Sequence, residues 1–261
     1  MTELAKTLAA EIAAAKPRWR ALEVAQPYPF APTPPAQFNL EHLPPLVRDA
    51  TRGISRGRNW RRHLHLFRPQ SQGHTHSAMS IAVAAVMSDL RLQKDHNAVQ
   101  LSAGHLHWCL AGLNDQDSLS ATDALRLVEA NLLAEWRDGQ IPFPIEQCAA
   151  ANGVARIVGT VRLQTIEDAM TALEKGPILA FMDIYEDFWR YYASGHYHHV
   201  AGRCLGLHPV AVVGCDRDRS FWVIKNSLGT SWGDVGYARI MFGQCRLFTE
   251  DGAGGAQLIL A

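Results

Sequence analysis

Residues 205 to 240 constrain the fold of this chain more than any other stretch. They hold a histidine inside an apolar run, LHPVAVVGC, then a polar turn, DRDRS, a second apolar run, FWVIK, and Asn226 before a glycine-rich segment. Two apolar runs joined by a short polar turn predict adjacent strands, which bring residues near their open ends side by side. We therefore expect His208 and Asn226 to lie together.

An asparagine beside a histidine has a specific chemical use. The amide oxygen can accept the imidazole N–H and hold one tautomer, which is the role of the third member in a set of nucleophile, base and orienting residue. The alternative is that His208 is an ordinary core histidine and that NSLGTSWG is a surface loop. The pair predicts half of a catalytic site, with a nucleophile elsewhere in the chain.

This stretch resembles the papain-like cysteine peptidases. In that family the catalytic histidine opens H-A-V-x-x-V-G, and the asparagine lies in K-N-S-W-G-x-x-W-G-x-x-G-Y. The matching positions here are His208, Pro209, Val210, Val213, Gly214, Lys225, Asn226, Ser227, Gly229, Trp232, Gly233, Gly236 and Tyr237. Leu228 replaces the usual tryptophan, and because leucine shields less area we expect a more exposed and weaker hydrogen bond between His208 and Asn226.

A second stretch, QGHTHSAMSIAVAAVMSD, begins at Gln72, and its small apolar residues from Ala78 onwards predict a buried helix. The family has Q-G-x-x-x-[ST]-C here. The resemblance therefore implies that Gln72 helps form the oxyanion hole and that Ala78 occupies the position of the nucleophilic cysteine. A cysteine at a helix N-terminus facing an imidazolium is favoured as the thiolate. Alanine has no thiol, so we expect that no acyl-enzyme forms.

Two explanations for Ala78 are open. A cysteine-to-alanine substitution is a common way to trap a protease, and Gln72, His208 and Asn226 are all retained. Alternatively, the chain is a natural non-catalytic relative, which Met79 and Leu228 favour because the family usually has large aromatic residues at both positions. Our leading hypothesis is a thiol peptidase inactivated at position 78. The alternatives are a peptide-binding pseudoenzyme and a peptide ligase or cyclase that uses the same acyl-enzyme chemistry.

The resemblance implies an α+β fold of two lobes with the active site in the cleft between them. We expect a papain-like domain over residues 51–261, with a helical lobe over about 70–140 and a β-rich lobe over about 141–261. The sequence of residues 1–50 predicts a helix followed by an extended, proline-rich segment. Two roles are open for these residues: covering the cleft as a propeptide, or packing on the outside of a lobe.

The resemblance also implies substrate contacts. Phe181 and Leu207 fall at positions that line the family's main specificity pocket, and both are apolar, so we expect a hydrophobic side chain two residues before the cut. The alternative is that Phe181 fills this pocket as core. Ser118 and Leu119 lie near the position of a Gly-Gly pair that usually holds the substrate main chain, and that pair is missing here. No cofactor is implied.

Composition narrows the choice of partner and compartment. The 25 basic and 25 acidic residues cancel, so no general attraction to nucleic acid or to an anionic membrane is predicted. No apolar run approaches the ~20 residues that cross a bilayer, and the N-terminus lacks the uninterrupted apolar core of a secretory signal. Five widely spaced cysteines without a CxxC pair predict reduced thiols and a cytoplasmic location. The expected partner is a peptide or protein substrate.

Four histidine clusters are candidate metal ligands: His63/His65, His74/His76, His105/His107 and His196/His198/His199. H-x-H in an extended chain puts both rings on one face, which suits a metal ion. These clusters lack cysteine or carboxylate partners at regular spacing, so we predict surface or cleft-lining residues and no metal site.

Overall fold

The computed structural model describes residues 3–22, 39–47, 58–63, 66–136, 148 and 151–261. Its helices are α1 (Glu3–Ala15), α2 (Trp60–His63), α3 (Ala78–Lys94), α4 (Ala121–Ala130), α5 (Ile166–Leu173) and α6 (Glu186–Tyr191), with a π-helix at His105–Leu110. The strands are β1 (Trp19–Ala21), β2 (Leu133–Ala134), β3 (Gly153–Ala155), β4 (Ile157–Leu163), β5 (Ile178–Tyr185), β6 (Tyr192–Tyr197), β7 (Cys204–Asp216), β8 (Phe221–Lys225), β9 (Tyr237–Met241) and β10 (Gly255–Leu260). Helices and a large sheet together confirm the predicted α+β class.

The centre of the molecule is an eight-stranded sheet in the order β1-β6-β9-β8-β7-β5-β10-β4. The two apolar runs of the sequence form β7 and β8, which pair antiparallel with Ala211 opposite Lys225. A polar turn joins these strands, as the sequence predicts. Long apolar strands in the middle of a sheet are buried on both faces, which explains why their residues are almost continuously apolar.

Helix α3 is the buried helix that the sequence predicts. Every residue from Ala78 to Asp89 is buried, because small side chains let neighbouring elements approach closely. The helix packs against β7, β10 and α4. One apolar cluster lies between these elements, and a second, rich in aromatic rings, lies around Trp189, Tyr192 and Trp222.

The N-terminal residues pack onto the rest of the chain. Helix α1 ends at Ala15, before Pro17, and buries Leu8 and Ile12 in the aromatic cluster. Strand β1 then pairs with β6. Residues 23–38, which include most of the predicted proline-rich segment, lie outside the described residues.

Residues 39–47, the N-terminal strap, run beside β4. The backbone N–H of Arg162 donates to the carbonyl of Pro44 at 2.8 Å, and the N–H of Leu46 donates to the carbonyl of Arg162 at 3.1 Å. On the other side, Thr122 of α4 donates from its hydroxyl to the carbonyl of Asn39 at 3.1 Å. The strap therefore ties α4 to the edge of the sheet.

A disulfide joins Cys109 to Cys148, with 5.4 Å between the two Cα atoms. The prediction of reduced thiols throughout is wrong for this pair. The partners are 39 residues apart in the sequence, a separation that carries no spacing signal, and only the folded chain brings them together. Cys204, Cys215 and Cys245 are free. Within the described ranges, no helix combines the length and apolar character that a membrane span requires.

Candidate active site

Strands β7 and β8 bring His208 and Asn226 together. His208 lies within β7, opposite Met182 of β5, and Asn226 follows the last residue of β8. The imidazole Nε2 is 3.0 Å from Oδ1 of Asn226, and the same oxygen accepts the backbone N–H of Ser227 at 2.8 Å. The bond from Ser227 identifies this atom as the amide oxygen, which can only accept hydrogen bonds. Nε2 of His208 therefore carries the proton and donates it.

The hydrogen bond is buried. His208 is 3% exposed and Asn226 2% exposed. The expectation that Leu228 would leave this bond open to water is therefore wrong. Leu228 is itself buried, and the ring of Trp189 meets the imidazole edge to face, with centroids 5.5 Å apart. Trp189 belongs to α6, far from the motif in sequence, so the local pattern gave no sign of this cover.

Burial sets the protonation state of His208. Loss of water around the ring lowers its pKa from 6.5 to about 4, and the hydrogen bond to Asn226 opposes part of that effect. An apolar setting disfavours the charged form of an imidazole. The ring is therefore neutral near pH 7, with the proton on Nε2 and the lone pair on Nδ1, which is the form that a general base requires.

Gln72 is fixed against the loop that carries Asn226. Ser227 donates from its hydroxyl to Oε1 of Gln72 at 2.6 Å, and the backbone N–H of Gln72 donates to the carbonyl of Ser227 at 2.8 Å. One side-chain N–H of Gln72 donates to the carbonyl of Thr75 at 3.0 Å. The motif includes Ser227 but assigned it no role. Here it couples Asn226 to the side-chain amide of Gln72.

Ala78 is the first residue of α3 and is 8% exposed. Ser77 precedes it at the cap position, where its hydroxyl bonds to the hydroxyl of Thr75 at 2.7 Å instead of capping the helix. The first N–H groups of a helix have no partner within the helix and mark its positive end. A methyl group occupies the position at which such an end would stabilise a thiolate.

A second serine–histidine pair lies deeper in the protein, and the sequence gave no hint of it. The hydroxyl of Ser80 is 3.3 Å from Nδ1 of His107, and Nε2 of His107 is 3.0 Å from the carbonyl of Asn114. A carbonyl only accepts, so Nε2 carries the proton and Ser80 donates to Nδ1. Both side chains are completely buried, and burial lowers the pKa of His107. The pair anchors α3 to the π-helix and is closed to substrate.

The predicted substrate-contact residues are not gathered into one apolar pocket. Phe181 has no exposed surface and fills the core, which is the alternative interpretation given above. Leu207 lines a cavity of about 630 Å³ whose other side chains include Arg162, Arg246 and Glu250. Charged groups beside Leu207 do not match the expected hydrophobic specificity pocket.

Ser118 and Leu119 precede α4. Leu119 is buried in the apolar cluster beneath α3, while Ser118 is half-buried. For metal ions, no group of three or more histidine, cysteine or carboxylate side chains suited to binding one occurs among the described residues.

Comparison with known proteins connects this geometry to a family. A sequence model described as "papain family cysteine protease" matches residues 54–252. The chain is similar to cathepsin B-like cysteine proteinase 2 of Haemonchus contortus, with 44% identity over 73 residues, 27% of this chain and 21% of the relative. A gut-specific cysteine proteinase of Caenorhabditis elegans is 37% identical over 87 residues, 32% of this chain and 26% of the relative. The matches thus span about a quarter of these relatives or less.

Solved structures share the fold. ProCathepsin B S9 from Trypanosoma congolense superposes with a TM-score of 0.78 at 20% identity, covering 100% of this chain and 99% of that chain. Digestive procathepsin L 3 of Tenebrio molitor larval midgut superposes with a TM-score of 0.70 at 20% identity, covering 98% of this chain and 88% of that chain. Bromelain protease from Ananas comosus, in complex with the E64 inhibitor, superposes with a TM-score of 0.64 at 19% identity, covering 79% of this chain and 99% of that chain.

The predicted cytoplasmic location is contradicted. The similar proteins include a gut-specific proteinase and a digestive procathepsin of larval midgut. The chain also carries the Cys109–Cys148 disulfide, a bond that persists in oxidising compartments and is rare in the cytosol.

Proposed function

The chain belongs to the papain family of cysteine proteases, and on this premise we propose that its site is that of a thiol peptidase inactivated at position 78. The family model covers most of the chain. With Ala78 in the nucleophile position, the chain would bind a peptide or protein substrate without cleaving it. The predicted roles of Gln72, His208 and Asn226 stay part of this proposal.

The proposed chemistry assigns one role to each position. A cysteine at 78 attacks the scissile carbonyl while His208 accepts the thiol proton and later donates it to the leaving amine. Asn226 keeps the imidazole in the tautomer that accepts at Nδ1. Gln72 and the backbone N–H of residue 78 donate to the oxyanion of the tetrahedral intermediate.

The observation that carries the proposal is the chain of hydrogen bonds that links His208, Asn226, Ser227 and Gln72. His208 bonds to Asn226 at 3.0 Å, and Ser227 bonds to Gln72 at 2.6 Å. His208, Asn226 and Gln72 are thus held in one buried unit to which three sequence segments contribute, and this supports assigning them the roles of base, orienting residue and oxyanion donor. A site that had lost its chemistry long ago would not need to hold all three.

A natural peptide-binding pseudoenzyme is the second candidate. Met79 and Leu228 favour it, because each replaces a large aromatic residue of the family and each is now packed as core. A ligase or cyclase is a third possibility, since the same acyl-enzyme can pass its acyl group to an amine instead of water.

The substitution Ala78→Cys tests the proposal. We expect rapid labelling by iodoacetamide near neutral pH and cleavage of unfolded protein substrates. The matched control is Ala82→Cys, one turn further along α3 and also buried, at 4% exposure against 8% for Ala78; it should label slowly and cleave nothing. If Ala78→Cys is folded but labels no faster than Ala82→Cys and shows no turnover, the thiol-peptidase proposal is rejected in favour of the pseudoenzyme. Product masses separate hydrolysis from ligation.

We further propose that residues 1–50 act as a propeptide-like cover on a peptidase domain formed by residues 51–261. Pairing of β1 with β6 and the strap between α4 and β4 support this role. The coverage of solved structures also supports it: the two procathepsins cover 100% and 98% of this chain, whereas bromelain covers 79%.

A cleavable linker tests this cover. A site for a specific protease placed within residues 48–57 of the Ala78→Cys variant should leave activity low until the linker is cut, and activity should rise as the N-terminal piece dissociates. Equal activity before cutting and after removal of the piece would show that these residues do not inhibit.

A further inference from the structure

A cavity of about 660 Å³ opens at the far end of α3, between that helix, the N-terminal strap and strands β4 and β10. Its walls are mainly apolar and include Leu46, Val47, Leu90, Val161, Leu258 and Ile259. Leu90 follows Ala78 by 12 residues in α3, which is about 18 Å along a helix axis. The cavity is therefore separate from the candidate active site.

The charges around this cavity have one sign. Lys94 and Lys175 line it, and no carboxylate side chain is among the lining residues. Lys94 donates to the carbonyls of Leu260 and Ala261 at 3.3 and 3.4 Å. For Lys175, the described parts of the chain provide no ion-pair partner. Lys94 is thus already engaged with main-chain oxygens, and the ammonium of Lys175 is the charged group that the cavity offers beside its apolar wall.

A buried donor lies at the same place. Nε2 of Gln93 is enclosed and has no hydrogen-bond partner among the described residues. The turn at Gly176, which follows Lys175, packs against Leu90 and this amide so closely that an added Cβ would lie 2.3 Å from Leu90 Cδ2. Leaving a buried amide donor unpaired costs free energy, so an acceptor from a ligand would stabilise it.

We propose that this cavity binds an alkyl carboxylate, the chemistry of a medium-chain fatty acid. The alkyl chain contacts the leucine and valine wall, the carboxylate accepts from Lys175, and the Gln93 side chain turns towards the cavity so that its amide donates as well. Burying alkyl surface is favourable in proportion to its area, and a charged acceptor forms the stronger kind of hydrogen bond with both donors.

Other occupants fit less well. Each residue of a bound peptide would bring one N–H and one C=O, and the lining offers only two side-chain amides, those of Gln93 and Gln257, to satisfy them. Residues 48–57, which follow the strap, contain three arginines and one aspartate. Their net charge has the same sign as the lysines, so charge disfavours them as the occupant.

Sodium decanoate titrated into the full chain tests the proposal, with amide NMR shifts as the readout. We expect saturable shifts at the lining residues, and weaker binding of decanol and of decyltrimethylammonium at the same positions. Lys175→Met should raise the Kd for decanoate about fivefold, as expected for loss of one partly exposed ion pair. The matched control is Lys16→Met, outside the cavity, which should bind as the parent does.

Ile259→Glu provides a second variant that keeps the fold, because Ile259 is 45% exposed. A carboxylate at this wall should repel decanoate and remove the shifts. The proposal is overturned if decanoate does not bind, if decanol binds equally well, or if Lys175→Met leaves the Kd for decanoate unchanged. It is also overturned if sedimentation shows a dimer of the chain that Ile259→Glu converts to a monomer, because this face would then be an interface between two copies. None of these results depends on a thiol at position 78.

Discussion

His208 and Asn226 form a buried hydrogen bond, 3.0 Å from Nε2 to Oδ1, in a chain that has alanine at the position proposed for the nucleophile. In an active cysteine protease, the positive imidazolium is stabilised by a thiolate. Here His208 has Asn226 beside it but no thiol at position 78; burial lowers its pKa, and the hydrogen bond to Asn226 opposes part of that shift. Three predictions depend on this relationship.

The first prediction concerns how the free energy of unfolding depends on pH. The folded-state pKa of His208 is lowered to about 4 by burial, below the ordinary 6.5, so the unfolded chain binds more protons between these values. Its contribution to stability is therefore fully present above pH 6.5 and is lost as the pH falls towards 4. The full effect is about 3 kcal/mol. Urea unfolding should show this loss in the parent, and His208→Gln should show a shallower one.

The second concerns the restored thiol. In Ala78→Cys we expect the pKa of His208 to rise by about one unit or more above its value in the parent, because a nearby thiolate favours the imidazolium. NMR titration of the imidazole C–H signals measures this change, with Ala82→Cys as the control. An unchanged titration in a folded Ala78→Cys chain would mean that residue 78 and His208 do not interact.

In the Ala78→Cys background, Asn226→Ala should lower kcat/KM by about 10- to 100-fold, since the imidazole loses the partner that fixes its orientation. Asn226→Gln keeps the amide at a different reach and should recover part of this loss. A merely structural role for Asn226 would instead reduce the free energy of unfolding without this selective recovery of activity.

A buried ion pair links α3 to β8. Nζ of Lys225 contacts Oδ2 of Asp89, and both side chains are inaccessible to solvent. Burial raises the pKa of Asp89, and Lys225 opposes that shift. Lys225→Met leaves the carboxylate uncompensated and should cost about 3–5 kcal/mol of unfolding free energy. Asp89→Leu combined with Lys225→Met should recover much of it in urea unfolding, whereas two independent residues would give additive losses.

The disulfide offers a redox prediction. Cys109→Ser with Cys148→Ser should lower the free energy of unfolding by about 2–4 kcal/mol, because the unfolded chain loses a cross-link. Dithiothreitol should lower the stability of the parent towards that of the double variant and leave the double variant unchanged. Cys204→Ser, at an exposed free cysteine, is the control and should respond to reductant as the parent does.

The sequence by itself determined the strand pair, the buried helix and the positions of His208, Asn226 and Ala78. These features depend on local periodicity and on short motifs, in which the signal lies within about 20 residues. The family fold was implied by the resemblance of these motifs to those of the papain-like peptidases, and not by the periodicity alone.

The tertiary structure alone decided what surrounds those residues. Trp189 covers His208 and Cys109 meets Cys148, which is why the expected exposed hydrogen bond and reduced thiols were wrong. Charged side chains also share a cavity with Leu207. Each of these contacts joins segments that are distant in the sequence. Local patterns specify secondary structure and which faces are apolar, whereas the partner of each side chain is fixed only when separate segments pack together.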